Sequence, residues 1–163
     1  MVLDYKKIFK KLNEAGIDYL VVGGLAVNFH GIPRMTYDLD LMLLLEPENI
    51  LKMVEQLTQW GYRPRAPVDP RDLADAPKRG SWVAEKGMKA FSFANLSSPI
   101  GEIDLVIETP IPYEQLKSRA IFINVEKVEI PVIALDDLIR VKKESGRQQD
   151  LRDLDNLEKI RGG

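Results

Sequence analysis

The chain has 163 residues, of which 45% are hydrophobic and 29% charged, a composition typical of a folded globular protein. It has no cysteine, which excludes disulfides, thiolate zinc sites and thiol nucleophiles. Its single histidine, His30, excludes multi-histidine metal centres. Acidic residues number 25, of which 13 are aspartates, so any chemistry should use carboxylates and a hard, oxygen-preferring metal ion.

The formal charge of −2 and the sequence pI near 5.5 give no overall attraction to nucleic acid or to anionic lipid. The amino-terminal residues turn charged at once, without the apolar core of a signal peptide. The longest apolar runs, such as 20–27 and 41–45, are far shorter than the ~20 residues of a membrane span. We therefore expect a cytoplasmic protein with no membrane association, folded as a single domain over 1–163.

Hydrophobic periodicity and turn residues divide the chain into alternating helices and strands. In the first third, helices are predicted at 4–15, 25–30 and 46–60, and strands at 18–22 and 37–45. In the second half, the pattern predicts a hairpin of 89–94 and 102–107, strands at 121–125 and 128–133, and helices at 136–144 and 148–160. This order predicts an α/β (α+β) fold with a mixed sheet, its core at about 17–133 and a helical tail at about 135–161.

The stretch from 63 to 87 differs from the rest in having four prolines, and it predicts loop with one short helix near 71–76. Five basic residues between 63 and 79 outnumber three aspartates. With Trp82 nearby, this stretch would be either a simple solvated loop or a surface that contacts RNA or a nucleotide by charge and stacking.

Asp38 and Asp40 form an Asp-x-Asp pair on a predicted strand. Residues i and i+2 of a strand point to the same face, so both carboxylates can converge on one or two divalent cations. The pattern alone is uninformative, because 13 aspartates in 163 residues produce about one such pair by chance. A second pair, Asp153 and Asp155, lies on a predicted helix, where positions i and i+2 diverge.

The surroundings of Asp38 are more specific. Gly23 and Gly24 stand where a buried strand gives way to a helix, and glycine there lets backbone N–H groups approach an anion. We expect the strands on either side to run parallel and to bring this turn and the Asp pair to one sheet edge. Arg34 and Thr36 lie on the loop that leads into the acidic strand, where Arg34 could hold the acids or a phosphate.

Two further residues carry charge in apolar surroundings. Asp104 lies on a strand opposite the face of Ile103 and Leu105, which is costly unless the acid is paired, metal-bound or turned to solvent. Lys142 falls on the buried stripe of its helix, four residues after Leu138. Its ammonium would either extend to solvent or reach a phosphate or an active-site acid. His30 is interpreted as structural rather than catalytic.

Spaced matches through the amino-terminal half resemble the signature of the nucleotidyltransferase (polymerase-β-like) superfamily: Val22-Gly23-Gly24-Leu25-Ala26, His30-Gly31, Arg34, Thr36, Asp38 and Asp40. The chain is most similar to small prokaryotic members related to the AbiEii-type toxins of toxin–antitoxin systems. The likeness extends through the tail and covers about 17–158, including Asp137, Lys142, Arg147, Asp150 and Asp153. It leaves open whether the last three are ordinary solvated charges or a bridge back to the site.

This resemblance implies a mixed-sheet nucleotidyltransferase core with Asp38, Asp40 and Asp104 as a metal triad for Mg²⁺ or Mn²⁺. It also implies a triphosphate cradle at Gly23–Gly24 and further nucleotide contacts from Arg34, Thr36 and Lys142. The expected activity is transfer of a nucleoside monophosphate from an NTP to an acceptor, which could be a protein, an RNA end or a small molecule. The alternatives are a catalytically idle binding module, such as a toxin–antitoxin component with a partner protein, and a carboxylate-metal nuclease.

Overall fold

Seven helices and seven strands are present in a computed structural model, which describes residues 4–145 and 147–162 apart from the side chain of residue 149. The helices are α1 (Tyr5–Glu14), α2 (Gly23–Phe29), α3 (Pro47–Gln59), α4 (Ala76–Lys86), α5 (Tyr113–Ser118), α6 (Leu135–Ser145) and α7 (Gln148–Gly162), with a 3-10 helix at Pro70–Ala74. The strands are β1 (Tyr19–Val22), β2 (Leu39–Leu43), β3 (Arg63–Pro64), β4 (Ala90–Ala94), β5 (Ile103–Val106), β6 (Ile121–Val125) and β7 (Val128–Val132).

All seven strands form one mixed sheet in the order β3-β4-β5-β2-β1-β7-β6. The predicted α/β fold with a mixed sheet, flanking helices and a carboxyl-terminal helical tail is therefore confirmed. The predicted hairpin is also confirmed, because β4 and β5 pair antiparallel. The expectation that the first two strands run parallel is wrong: β1 pairs antiparallel with β2, while β2 pairs parallel with β5.

Alternation along the strands gives the sheet two different faces. On one face, Leu39, Leu41, Ile103 and Leu105 are buried, and Phe9 of α1 stacks on Tyr19 of the same face with ring centroids 5.9 Å apart. On the other face, the intervening positions include both acids of the central strands. An apolar core thus fills one side of the sheet. On the second side Leu20, Val22 and Met42 are also buried, and Asp40 and Asp104 lie on the same face as these residues.

The stretch from 63 to 87 is more ordered than the sequence predicts, since it contains β3, the 3-10 helix and the eleven-residue α4. Helix α4 begins with Pro77 in its first turn and Asp75 as its cap, where the carboxylate accepts the N–H of Lys78. It ends at Gly87 in the left-handed conformation, φ +61°. Proline is well tolerated in a first helical turn, so Pro77 starts this helix instead of breaking it.

Trp82 of α4 is buried and stacks on Phe91, with ring centroids 5.4 Å apart. The interpretation of Trp82 as a stacking surface for RNA or a nucleotide is therefore wrong. The nearby basic side chains are partnered within the same stretch: Arg71 with Asp69, Lys78 with Asp72, and Arg79 with the carbonyl of Leu73. Within the described residues, no helix combines the length and apolarity needed to cross a membrane.

Candidate active site

The register of three central strands brings the predicted acids together. Val22 at the end of β1 pairs with Asp40 of β2, and Asp40 in turn pairs with Asp104 of β5. Adjacent strands lie about 4.8 Å apart, so the two aspartates are neighbours on one face of the sheet. Because β1 and β2 are antiparallel and the acids lie at the start of β2, the turn at Gly23 reaches the same sheet edge as Asp38.

Glu102 is a fourth acid at this edge that the sequence interpretation missed. Carboxylate oxygens of Asp38, Glu102 and Asp104 all lie within 4.8 Å of one another. The Asp38 Oδ1 atom also accepts the backbone N–H of Glu102 at 2.8 Å. The signal was present in the sequence, because Glu102-x-Asp104 at the start of β5 repeats the spacing of Asp38-x-Asp40 at the start of β2, with the first acid of each pair just before the strand. We call these four acids, Asp38, Asp40, Glu102 and Asp104, the carboxylate cluster.

Electrostatics in the carboxylate cluster disfavour full ionisation in the absence of a cation. Burial, the charge of Asp104, a hydrogen bond with Asp104 and the charge of Asp38 all raise the pKa of Asp40 well above its usual range. The N–H of Gly24 donates to the same carboxyl group and opposes that rise only in part. Carboxyl groups this close repel one another as anions, and either a proton or a bound divalent cation would relieve that repulsion.

Two buried side-chain atoms in the described part of the protein have no hydrogen-bond partner: Oδ1 of Asp104 and Oγ1 of Thr36. Both residues line the same cleft. Since buried polar atoms are nearly always paired, each of these oxygens is available to a water molecule or to a bound ligand. The oxygen-only donor set of the carboxylate cluster fits Mg²⁺ or Mn²⁺.

Gly23 and Gly24 leave space for the side chains of Asp40 and Thr36, because glycine has no Cβ atom. Gly23 has φ +66°, and a Cβ atom there would lie closer than 3.0 Å to the carboxylate of Asp40. A Cβ at Gly24 would lie 3.1 Å from the Thr36 side chain. The structure thus explains both glycines by close packing of Asp40 and Thr36. The phosphate cradle expected at this turn stays a prediction.

The cleft has a volume of about 570 Å³ and is lined by all eight residues that the sequence singled out: Gly23, Gly24, Arg34, Thr36, Asp38, Asp40, Asp104 and Lys142. Arg147 and Asp150 of the tail also line it. Carboxylates at the start of β2 and on β5 form one wall. Cationic groups from the loop before β2, from α6 and from the residue that precedes α7 form another. A cleft with these two walls can hold a polyanion together with divalent cations.

The cationic wall is an ion-pair network, the tail network, formed by Arg34, Lys142, Arg147, Asp150 and Asp153. The Lys142 ammonium donates to Asp150 at 3.0 Å and to Asp153 at 3.1 Å, with 8% of its side chain exposed. The interpretation that Lys142 extends to solvent is therefore wrong. It reaches acids of α7 and not those of the carboxylate cluster.

The remaining members of the tail network join it to the loop before β2. Arg34 pairs with Asp153, and the Arg147 guanidinium donates to Asp150 at 2.8 Å. Burial would raise the pKa of Asp150, but hydrogen bonds from Ser145, Arg147 and Lys142 outweigh it and lower that pKa to about 2. Asp150 and Asp153 are thus buried bridge residues and not solvated helix charges.

His30 lies outside the cleft lining, and its Nε2 atom is 2.7 Å from the backbone oxygen of Ile133, so the ring donates there. This contact ties the end of α2 to the segment after β7 and supports the structural interpretation of His30.

A family model described as nucleotidyl transferase AbiEii toxin, type IV TA system, matches residues 11–154. Because this match covers most of the chain, the protein belongs to the AbiEii nucleotidyltransferase toxin family, as the sequence resemblance predicted. No curated protein matches the chain significantly.

Solved structures with a similar fold include lincosamide antibiotic adenylyltransferase LnuA with lincomycin bound, at 16% identity over 98% of both chains and a TM-score of 0.62. A second is ANT(2'')-Ia in complex with adenylyl-2''-tobramycin, at 14% identity over 96% of this chain and 91% of that one, TM-score 0.53. A third is an antigenic nucleotidyltransferase-like protein from Paracoccidioides brasiliensis, at 16% identity over 93% and 72%, TM-score 0.53. These likenesses establish the nucleotidyltransferase fold.

Proposed function

We propose that this protein transfers a nucleoside monophosphate from an NTP to an acceptor hydroxyl, in a reaction that depends on Mg²⁺ or Mn²⁺. The observation that carries the proposal is the pair of unpartnered buried oxygens, on Asp104 and Thr36, that line one cleft between carboxylates and cations. Membership of a nucleotidyltransferase family supplies the reaction class.

Asp38, Asp40 and Asp104 would hold the divalent cation, since their carboxylates share one end of the cleft and Asp104 has a free oxygen. When bound, the metal supplies charge neutralisation for the triphosphate and for the leaving pyrophosphate. The chain's own contribution is to fix these acids on two adjacent strands, so that little reorganisation is needed when the substrate binds.

On the opposite wall, Arg34 has guanidinium N–H groups beyond the one that pairs with Asp153, and its side chain is 20% exposed. These groups and the free hydroxyl of Thr36 are the donors that we assign to the phosphates. Lys142 holds Asp153, which in turn positions Arg34, so we assign it an indirect role in nucleotide binding. Asp104 would accept the proton of the acceptor hydroxyl while the oxygen of that hydroxyl bonds to the α-phosphorus. The bond from the α-phosphorus to the oxygen that bridges to the β-phosphate breaks, and pyrophosphate leaves.

The AbiEii family is one of type IV toxin–antitoxin systems. We therefore also propose that the natural partner is an antitoxin protein, and that the acceptor is a cellular RNA or protein. The mutual repulsion of Asp38, Asp40 and Asp104, which a bound cation would relieve, supports a working metal site over an idle module.

The test is label transfer from each α-³²P-labelled NTP with Mg²⁺ or Mn²⁺, in the presence of total RNA or lysate protein. We expect labelled product with the wild type and with Glu85→Gln, which removes an exposed carboxylate of α4 away from the site. Asp38→Asn should lower transfer by roughly 10³-fold, because several kcal/mol of metal-dependent stabilisation are lost. Nucleotide binding without transfer would favour the idle module, and shortening of the RNA would favour a nuclease.

A further inference from the structure

Among the residues that the structure describes, Glu102 is the acid of the carboxylate cluster with an ion-pair partner. Its carboxylate pairs with the guanidinium of Arg65, which follows β3. The Arg65 side chain is 63% exposed and that of Glu102 is 29% exposed, so the pair lies at the outer rim of the site. The same Glu102 carboxylate has an oxygen within 4.8 Å of oxygens on Asp38 and Asp104.

The backbone holds both partners in place while the side chain of Arg65 can leave. The N–H of Arg65 donates to the carbonyl of Ser92 on β4, at 2.9 Å. The N–H of Glu102 donates to Asp38 at 2.8 Å, which fixes the start of β5 against the cluster. A long, exposed arginine on an anchored backbone can release its partner without a change in the sheet.

Charge and unsatisfied hydrogen bonding both point to a cation at this position. If all four acids of the carboxylate cluster are ionised, two divalent ions would balance their charge. In the protein alone, Arg65 compensates the charge of one acid, Glu102. The buried Oδ1 atom of Asp104 lacks any partner among the described residues. The unpartnered oxygen of Asp104 thus lies near a second carboxylate, that of Glu102, which an exposed arginine holds. In such a site a metal ion can replace the arginine as the partner of Glu102.

We propose that Glu102 is an additional ligand of the divalent-cation site, and that Arg65 occupies its carboxylate until the cation binds. This rests on the proposed function, because it extends the metal site assigned there to Asp38, Asp40 and Asp104. It also gives the ordered stretch from 63 to 87 a role, because the backbone of that stretch holds Arg65 beside Glu102.

The test is Mn²⁺ binding to the full-length protein without nucleotide, followed by the electron paramagnetic resonance signal of free Mn²⁺. We expect Glu102→Gln to weaken binding at least about tenfold, the lower limit found even for outer-shell partners of metal ligands. Arg65→Gln should tighten binding about two- to fivefold, since it releases one exposed ion pair. Glu85→Gln, which removes a distant carboxylate, should bind Mn²⁺ like the wild type.

The two variants should change Mn²⁺ affinity in opposite directions, which distinguishes a metal ligand from a residue that only supports the fold. If Glu102→Gln binds like the wild type while Asp38→Asn is weakened, this proposal is overturned and the proposed function stands. If the wild type binds no Mn²⁺, the proposed metal chemistry fails as well. Arg65→Gln leaves every carboxylate in place, so it tests the proposal even if Glu102→Gln is unstable: unchanged or weaker binding would overturn the assignment of Arg65.

Discussion

The two walls of the cleft hold their charged side chains in opposite ways. In the tail network, three cationic groups and two aspartates satisfy one another, and Lys142, Asp150 and Asp153 are all nearly inaccessible to solvent. In the carboxylate cluster, four acids lie together with one exposed arginine as their counter-charge. One wall is held together by ion pairs within the protein, and the other is mostly acidic, which is why we propose that a bound cation completes it.

This difference indicates what each wall does. The paired network specifies how the tail helices pack and where Arg34 is held, and it leaves the further N–H groups of Arg34 for a ligand. A cluster of like charges costs stability, and such a cost is typical of binding and catalytic sites. Substitutions in the two walls should therefore separate activity from stability.

The largest expected effect comes from breaking the carboxylate cluster. Asp104→Asn should lower nucleotidyl transfer by roughly 10³-fold, since a cation ligand and the proton acceptor are both lost. Its free energy of unfolding should stay the same or rise by up to about 1 kcal/mol, because repulsion with Asp40 is removed. Label transfer and chemical denaturation measure the two quantities. Transfer within tenfold of the wild type would show that Asp104 is not part of the reaction.

The tail network should respond in the opposite sense. Lys142→Ala leaves Asp150 and Asp153 buried without their shared ammonium, so the free energy of unfolding should fall by about 3–5 kcal/mol. The matched control is Lys143→Ala, one residue on, which removes an exposed pair with Glu158 and should cost at most about 1 kcal/mol. Urea denaturation of both variants checks this. Equal losses would mean that burial of Lys142 has no special importance.

The acids of the site show which structural features can be predicted from the sequence and which cannot. The Asp38-x-Asp40 spacing correctly places both side chains toward the cleft, because alternation along a strand is a local property. Which strands are neighbours, and in which direction they run, is set by packing across the whole sheet. The parallel pairing expected for β1 and β2 is accordingly wrong, although the turn and the acids still share an edge. Glu102 was missed although the Glu102-x-Asp104 spacing can be read from the sequence. The sequence does not show that β5 pairs with β2, and this pairing is what brings Glu102 to Asp38.

The tail and the stretch from 63 to 87 show the same limit. The position of Lys142 on a buried stripe is readable from the helical period, but its two partners come from a separate helix. Prolines at 64, 67, 70 and 77 suggest loop, yet three of the four belong to regular elements. Pro64 ends β3, Pro70 begins the 3-10 helix and Pro77 lies in α4. Pro77 lies in the first turn of α4, where its missing N–H has no helical partner to lose.

The fit between Gly23 and Asp40 gives a sharper test of how the cluster is built. Gly23→Ala should weaken Mn²⁺ binding at least about tenfold, because the new Cβ would displace the Asp40 carboxylate. Gly31→Ala is the matched control: Gly31 also has a positive φ, +100°, but a Cβ there meets nothing within 4 Å. Both variants should lose about 1–2 kcal/mol of stability from backbone strain. Equal Mn²⁺ affinities in the two would contradict the assignment of Gly23.

The smallest expected effect is the pH dependence of the tail network. The pKa of Asp150 is lowered to about 2 in the folded protein, against about 3.9 for an aspartate in an unfolded chain. A lowered folded-state pKa stabilises the protein above the unfolded value, and that stabilisation is lost as the pH falls through the folded value. The free energy of unfolding should therefore lose on the order of 1–2 kcal/mol from this group between about pH 4 and pH 2.

Urea denaturation of the wild type and of Asp150→Asn at a series of pH values isolates this contribution. The variant lacks the titrating carboxyl group, so the difference between the two proteins should be constant above about pH 5 and shrink toward about pH 2. Asp155→Asn is the control on the same helix, since Asp155 makes an exposed pair with Lys159 whose loss should cost under about 1 kcal/mol throughout. A wild-type advantage over Asp150→Asn that persists undiminished at pH 2 would mean that the ion pairs of Asp150 do not stabilise the tail.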